Sequence, residues 1–107
     1  MSPAVLLALA IVTEVFGTSL LRVSDGMTKL LPSLGTLVSY GISVYLLALV
    51  LKHLDIGLTY AIWAGVGTAM IAVIGVAVWD EPMGLLKVLS IGAVIAGVIG
   101  LNLSGAH

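Results

Sequence analysis

The feature that most restricts this chain is where its charges are missing. Residues 30–51, 56–79 and 88–107 contain no Asp, Glu, Lys or Arg, and the run 2–21 would match them but for Glu14. The other charges fall into three clusters: Arg22, Asp25 and Lys29; Lys52 and Asp55; Asp80, Glu81 and Lys87. About 20 apolar residues in a helix cross the roughly 30 Å hydrocarbon core of a bilayer. A helix also satisfies its own backbone polar groups there, as lipid requires. The four runs therefore predict four transmembrane helices, at about 3–21, 32–51, 57–79 and 85–103. Together they form one all-α integral membrane domain over residues 1–107, expected as a multi-pass protein of the cell's inner (plasma) membrane.

Composition agrees. Only 8% of residues are charged and 61% are hydrophobic, with a mean hydropathy of +1.28. A water-facing surface takes roughly 25% charged residues, so most of this surface must meet lipid. The start, MSPAVLLALAIV, lacks the basic flank of a secretory signal peptide. There is no cysteine, and no Gly-rich phosphate loop, metal-ligand spacing or nucleophile–base set. No cofactor, metal or enzymatic chemistry is expected, and a net charge of −1 gives no reason for nucleic acid as a partner.

Turn signals separate the runs. Asp25-Gly26 marks the first loop, Ile56-Gly57 precedes the third helix, and Asp80-Glu81-Pro82 makes a tight third loop. Pro32 suits a first helical turn, where its missing donor costs nothing. Basic residues barely choose an orientation. Arg22, Lys29 and Lys87 lie on one side, against Lys52 and the terminal amine on the other. A bias that small allows insertion both ways, so dual topology is one expectation. Four helices of about 10 Å diameter hardly enclose a solute path, and a transport cavity would need an oligomer.

Glu14 lies about 3 Å along the axis from the midpoint of its run, near the bilayer midplane. An ionisable group there costs roughly 2.5 to 3.5 kcal/mol on insertion scales, so it should face protein or a wet cavity. Leu7, Ala10, Ile11, Gly17, Thr18 and Leu21 share its helix face. Ala10, Gly17 and Thr18 are small, leaving room beside the carboxylate. Desolvation favours the protonated form of a carboxyl. A group so placed holds a proton or, once ionised, attracts a cation, but not both. The competing reading is a protonated glutamate that only staples helices in a structural or accessory membrane subunit.

Tyr60 and Trp63 share a face of the third helix. Trp63 lies roughly 12 Å past Asp55, deep for an interfacial residue, whereas Trp79 beside Asp80 suits the interfacial belt. Aromatic faces attract cations by about 0.5 to 2 kcal/mol, and core packing is the competing explanation of the pair. Tyr40, Ser43 and Thr36 are candidate pocket walls on the second helix. Gly65 and Gly67 favour a bend or a close helix approach. In the fourth helix Gly92, Ala93, Ala96, Gly97 and Gly100 recur at four-residue spacing, a ladder that permits tight helix contact in lipid.

Taken in order, Glu14-Val15, Gly17-Thr18, Asp25-Gly26, Pro32-Ser33, Gly35-Thr36, Tyr40, Ser43, Gly57, Tyr60-Ala61-Ile62-Trp63, Gly65-Val66-Gly67, Gly97-Val98 and Asn102 resemble the small multidrug resistance family over essentially the whole chain. Within it the chain is similar to the quaternary-ammonium or multidrug subtype. The guanidinium-exporting subtype typically carries Trp three residues after the glutamate, where this chain has Gly17. The resemblance implies an antiparallel homodimer of dual topology that exchanges protons for lipophilic aromatic or quaternary cations. It implies that Glu14 binds both proton and substrate, and that Trp63 and Tyr60 line and gate the pocket. Tyr40, Ser43, Gly17, Thr18, Leu7, Ala10 and Ile11 would complete its walls. Gly65 and Gly67 would form the hinge, and Gly92, Ala93, Ala96, Gly97 and Gly100 the dimer interface. Some members of the family pair with a homologous subunit instead. Tyr45 stands where the subtype often has Trp, and Ser90 where the fourth-helix motif often has Gly. A guanidinium or polyamine exporter is the alternative within the family.

Overall fold

A computed structural model of the chain describes residues 1–104. The end of the fourth uncharged run, residues 105–107, lies outside the described residues, as does the corresponding end of the expected domain. Among the described residues the elements are four α-helices: α1 (Pro3–Val23), α2 (Leu30–Val50), α3 (Ile56–Trp79) and α4 (Leu85–Leu103). At 1.5 Å per residue they are about 28 to 36 Å long, and all four are long and apolar enough to cross a membrane.

Local chemistry sets their ends. Ser2 caps α1, its hydroxyl oxygen accepting from the Val5 N–H at 3.2 Å, with Pro3 at the first helical position. At the other end the buried Ser24 hydroxyl donates to Leu21 O at 2.6 Å and accepts from Met27 N–H at 3.0 Å. Asp25, Gly26 and Met27 then reverse the chain with φ of 52°, 71° and 68°, left-handed values for which glycine carries no steric penalty. α2 begins two residues before the expected start, placing Pro32 at its third position. That amide is also one of the four without an intrahelical partner, so the proline is tolerated there equally well. α3 stops at Asp80 in the left-handed region (φ 54°), and Glu81 N–H donates to Gly75 O at 3.1 Å. The Glu81 carboxylate folds back over Gly75, occupying the space a Cβ would need. Lys87 Nζ lies 4.0 Å from Glu81 Oε1 and donates to Pro82 O at 3.2 Å, which ties the loop to the first turn of α4.

The contacts divide the chain into two compact units, Met1–Leu54 and the segment from Asp55 onward, each a helical hairpin. In the first, the inward face of α2 is Ser33, Thr36, Ser39, Ser43 and Val50, four hydroxyl residues out of five. Leu30, Leu31, Leu37, Val38 and Val44 point outward. This arrangement suits lipid, where apolar side chains gain nothing by leaving the solvent and small residues let backbones approach. Ser43 Oγ donates to Ala10 O at 2.7 Å, and Thr36 Oγ1 donates to Gly17 O at 3.0 Å. Gly35 admits the Leu20 side chain, whose Cδ1 would lie 2.6 Å from a Cβ there. These pairings run in opposite order along the two helices, as an antiparallel hairpin demands. In the second unit, Gly65 takes the corresponding role, since a Cβ there would lie 2.8 Å from Val98 Cγ2 and 3.1 Å from Val94 Cγ1.

Gly17 is the point of the first hairpin where a Cβ would meet three atoms at close range. A Cβ there would lie 2.8 Å from Tyr40 Cδ1, 2.9 Å from Tyr40 Cε1 and 3.0 Å from Ser39 Cβ. The Tyr40 ring is held by its hydroxyl and Ser39 Cβ by its backbone, so neither yields easily. Gly17→Ala should therefore destabilise the hairpin by about 1–3 kcal/mol, the usual cost of overpacking. Reversible unfolding of the purified protein in mixed micelles of increasing denaturing detergent measures this. Gly41→Ala, where a Cβ meets nothing within 4 Å, is the matched control and should cost nothing measurable.

Candidate functional site

Glu14 is half-buried on α1, eight residues before Arg22, and its hydrogen-bond partner among the described residues is one turn away on its own helix. Thr18 Oγ1 donates to Glu14 Oε1 at 2.9 Å. The same Thr18 oxygen lies 2.6 Å from the Tyr40 hydroxyl of α2. Carboxylate, threonine and phenol thus form a continuous hydrogen-bonded series across the hairpin. It exists because Thr18 follows Glu14 by four residues and because Gly17 presents no Cβ to the Tyr40 ring.

The expected wall residues in this hairpin fall into two groups. Thr18 and Tyr40 are half-buried and joined to the carboxylate, and Gly17 lies under the Tyr40 ring. Ser43 is buried with its hydroxyl engaged on Ala10 O, and Leu7, Ala10 and Ile11 are buried as well. Thr36, read from the sequence as a further wall, spends its hydroxyl on Gly17 O and Pro32 O, both at 3.0 Å.

In the second unit Tyr60 and Trp63 meet edge to face, with ring centroids 5.8 Å apart and planes at 62°. Such pairs contribute about 0.5–1.5 kcal/mol beyond their area. Tyr60 is exposed and Trp63 half-buried. The indole Nε1 of Trp63 is nevertheless buried and has no hydrogen-bond partner among the described residues, and the same holds for Thr59 Oγ1 one turn earlier. Thr59 was not singled out from the sequence; the signal for it is its place four residues before Trp63 on the same face. α3 runs unbroken through Gly65 and the buried Gly67, with Gly65 making the close approach to α4 described above. An apolar groove of about 380 Å³ lies along Val66, Ala69, Met70, Val73, Ile74 and Ile95.

No α4 residue is buried. Gly92, Ala93, Ala96, Gly97 and Gly100 are exposed, and a Cβ at any of the three glycines would meet nothing within 4 Å. Tyr45 and Ser90, the two departures noted in the sequence, are also exposed.

Four membrane-length helices with a carboxylic acid at mid-depth in the first define a multi-pass membrane protein of minimal size. Residues 3–95 match the family described as Small Multidrug Resistance protein, and the chain belongs to that family. The resemblance drawn from the sequence is thereby borne out. Among its relatives, the quaternary ammonium compound-resistance protein QacG of Staphylococcus sp. (strain ST94) is 46% identical over 99 residues, 92% of each chain. The quaternary ammonium compound-resistance protein QacC of Staphylococcus aureus is 41% identical over 103 residues, 96% of each chain. The multidrug resistance protein Mmr of Mycobacterium tuberculosis (strain ATCC 25618 / H37Rv) is 43% identical over 99 residues, again 92% of each.

The unpartnered groups on α3 lead to a prediction. Removing a buried polar atom that has no partner is neutral or stabilising. Thr59→Val, which keeps the shape and removes the hydroxyl, should leave the protein as stable or raise its stability by up to about 1 kcal/mol. The same detergent unfolding measurement checks it, and a loss of that size would show that Thr59 has a partner in the membrane.

Proposed function

We propose that this protein exports quaternary ammonium and other lipophilic organic cations across the inner membrane in exchange for protons. The observation that carries the reading is Glu14, an acid at membrane depth that accepts a hydrogen bond from Thr18 and belongs to no salt bridge among the described residues. The names of the quaternary ammonium and multidrug resistance relatives support the substrate class. Transport, not catalysis, is the activity proposed.

The mechanism follows from electrostatics. An ionised carboxylate at mid-depth is costly, and two kinds of positive partner relieve the cost. A proton neutralises it covalently; a lipophilic cation pairs with it and brings its own apolar surface. The two exclude each other at one carboxyl, so loading with a proton on one side and with a cation on the other drives exchange. The Tyr60–Trp63 pair offers aromatic surface suited to a desolvated cation. The orphaned Trp63 N–H is available to an acceptor brought by another conformation.

We place the working unit as an antiparallel homodimer, which supplies two Glu14 side chains. The exposed small-residue ladder of α4, with open space beside Gly92, Gly97 and Gly100, suits the dimer contact. Leu7, Ala10, Ile11, Gly17, Thr18, Tyr40 and Ser43 would shape the substrate side of each protomer, and Gly65 and Gly67 would serve as its hinge.

Proteoliposomes holding the purified protein, acidic inside, should accumulate a labelled quaternary ammonium cation from outside, and dissipating the pH gradient should stop them. Glu14→Gln should abolish this uptake while keeping full helical content by circular dichroism. Uptake that persists in that variant overturns the reading.

A further inference from the structure

Two buried polar atoms of α3 have nothing to bond. Thr59 Oγ1 and Trp63 Nε1 find no hydrogen-bond partner among the described residues, and Thr59 as a whole is only 2% exposed. A buried donor left unpaired costs free energy, and folded proteins keep few of them. At Thr59 the cost is avoidable. Thr13, Ser19, Ser33 and Thr36 each turn their hydroxyl back onto the carbonyl four residues earlier, at 2.6 to 3.0 Å. Asp55 O stands in the same relation to Thr59 and already accepts its N–H at 3.0 Å, yet the hydroxyl does not take that bond.

The two orphans are one turn apart on one face of α3 and do not satisfy each other. An indole N–H only donates, and a threonine hydroxyl has one hydrogen to give. What both lack is an acceptor. The Tyr60–Trp63 pair indicates where that acceptor belongs. A cation rests over an aromatic face, within about 6 Å of the ring centroid, whereas the indole N–H lies in the ring plane at its edge. A quaternary nitrogen has no lone pair and cannot fill the site itself. An oxygen on a short arm of the same cation can reach the edge while the charge stays over the face.

We infer that Thr59 and Trp63 form a hydrogen-bonding subsite for an oxygen acceptor carried by the exported cation, which makes Thr59 a specificity-determining residue. Both atoms are enclosed in the conformation described here, so the subsite opens in another state of the transport cycle and closes over the oxygen. The inference rests on the export reading above and sharpens its substrate class to quaternary ammonium ions with an ether, ester or hydroxyl oxygen on a two-carbon arm.

Two cations of matched size test it. Benzyl(2-methoxyethyl)dimethylammonium and benzylbutyldimethylammonium differ only by an ether oxygen in place of one methylene. Their dissociation constants are measured by calorimetry on full-length wild type, Thr59→Val and Thr59→Ser in lipid bicelles. Thr59→Val should weaken the methoxy cation relative to the butyl one by about three- to tenfold, the worth of one net hydrogen bond. Thr59→Ser should keep the wild-type ratio. A side chain that only packed would shift both cations together and leave the ratio alone. An unmoved ratio in Thr59→Val, or a ratio that Thr59→Ser fails to keep, overturns the subsite. In the wild type, the indole proton of Trp63 followed by NMR should move further downfield with the methoxy cation than with the butyl one, with Trp79 as internal control. Equal movement overturns the subsite, and this measurement decides should Thr59→Val fail to fold. If the wild type binds neither cation, the export reading fails and the subsite with it. Binding of both with an unmoved ratio removes the subsite and leaves the export reading standing.

Discussion

The hydrocarbon core offers no water to complete a hydrogen bond, and that single constraint organises this molecule. Backbone groups are closed within helices. Side-chain hydroxyls gain by finding carbonyls or one another, and those of the first hairpin named below do so, whereas Thr59 Oγ1 in the second unit finds no partner among the described residues. Ser19 and Thr13 turn back onto carbonyls of α1 itself, while Thr36 and Ser43 cross from α2 to Gly17 and Ala10. The result inverts the pattern of a soluble hairpin, with hydroxyls between the helices and leucine and valine outside. Interhelical hydrogen bonds of this kind are individually weak, on the order of 0.6 kcal/mol where measured. Their value lies in fixing register, because each pairs one hydroxyl with one carbonyl.

Register is what gives Glu14 its surroundings. With Ser43 on Ala10 and Thr36 on Gly17, the ring of Tyr40 falls between them, over Gly17 and within reach of Thr18. A slip of one residue along α2 would turn Tyr40 about 100° away, given 3.6 residues per turn. The contacts that hold the hairpin together therefore also deliver the phenol to the carboxylate's hydroxyl partner. Packing and electrostatics at this acid are one arrangement.

This explains what could be read from the sequence. Charge spacing was enough for the four helices, because lipid imposes the length of each run, and the family followed from Glu14 and Tyr60-Ala61-Ile62-Trp63. Helix ends were less legible: Pro32 looked like a first residue and is a third, since every amide of the first turn tolerates it. Glu14 stood out by its cost alone. Its partners were harder. Thr18 was visible as a small neighbour and Tyr40 as a wall, but their contact depends on two helices, and no pattern within one of them encodes it. Thr36 and Ser43 were read as facing a pocket, whereas in the hairpin their hydroxyls reach backbone carbonyls of α1. A hydroxyl facing a partner helix and one facing a cavity leave the same periodicity. Gly65 was legible as a bend or a close approach, and only the positions of Val94 and Val98 distinguish the second.

Position 17 shows how far one residue can carry such an arrangement. The resemblance described in the sequence analysis implies that the guanidinium-exporting subtype typically carries a Trp three residues after the glutamate. Here even a single Cβ at that place would come within 2.8 Å of the Tyr40 ring. An indole could not share the space, so a chain carrying one must hold its second helix, or the side chain corresponding to Tyr40, somewhere else. The series from phenol through threonine to carboxylate would then be broken or rebuilt from other groups. Absence of a side chain at Gly17 thus decides which hydroxyls can reach the acid.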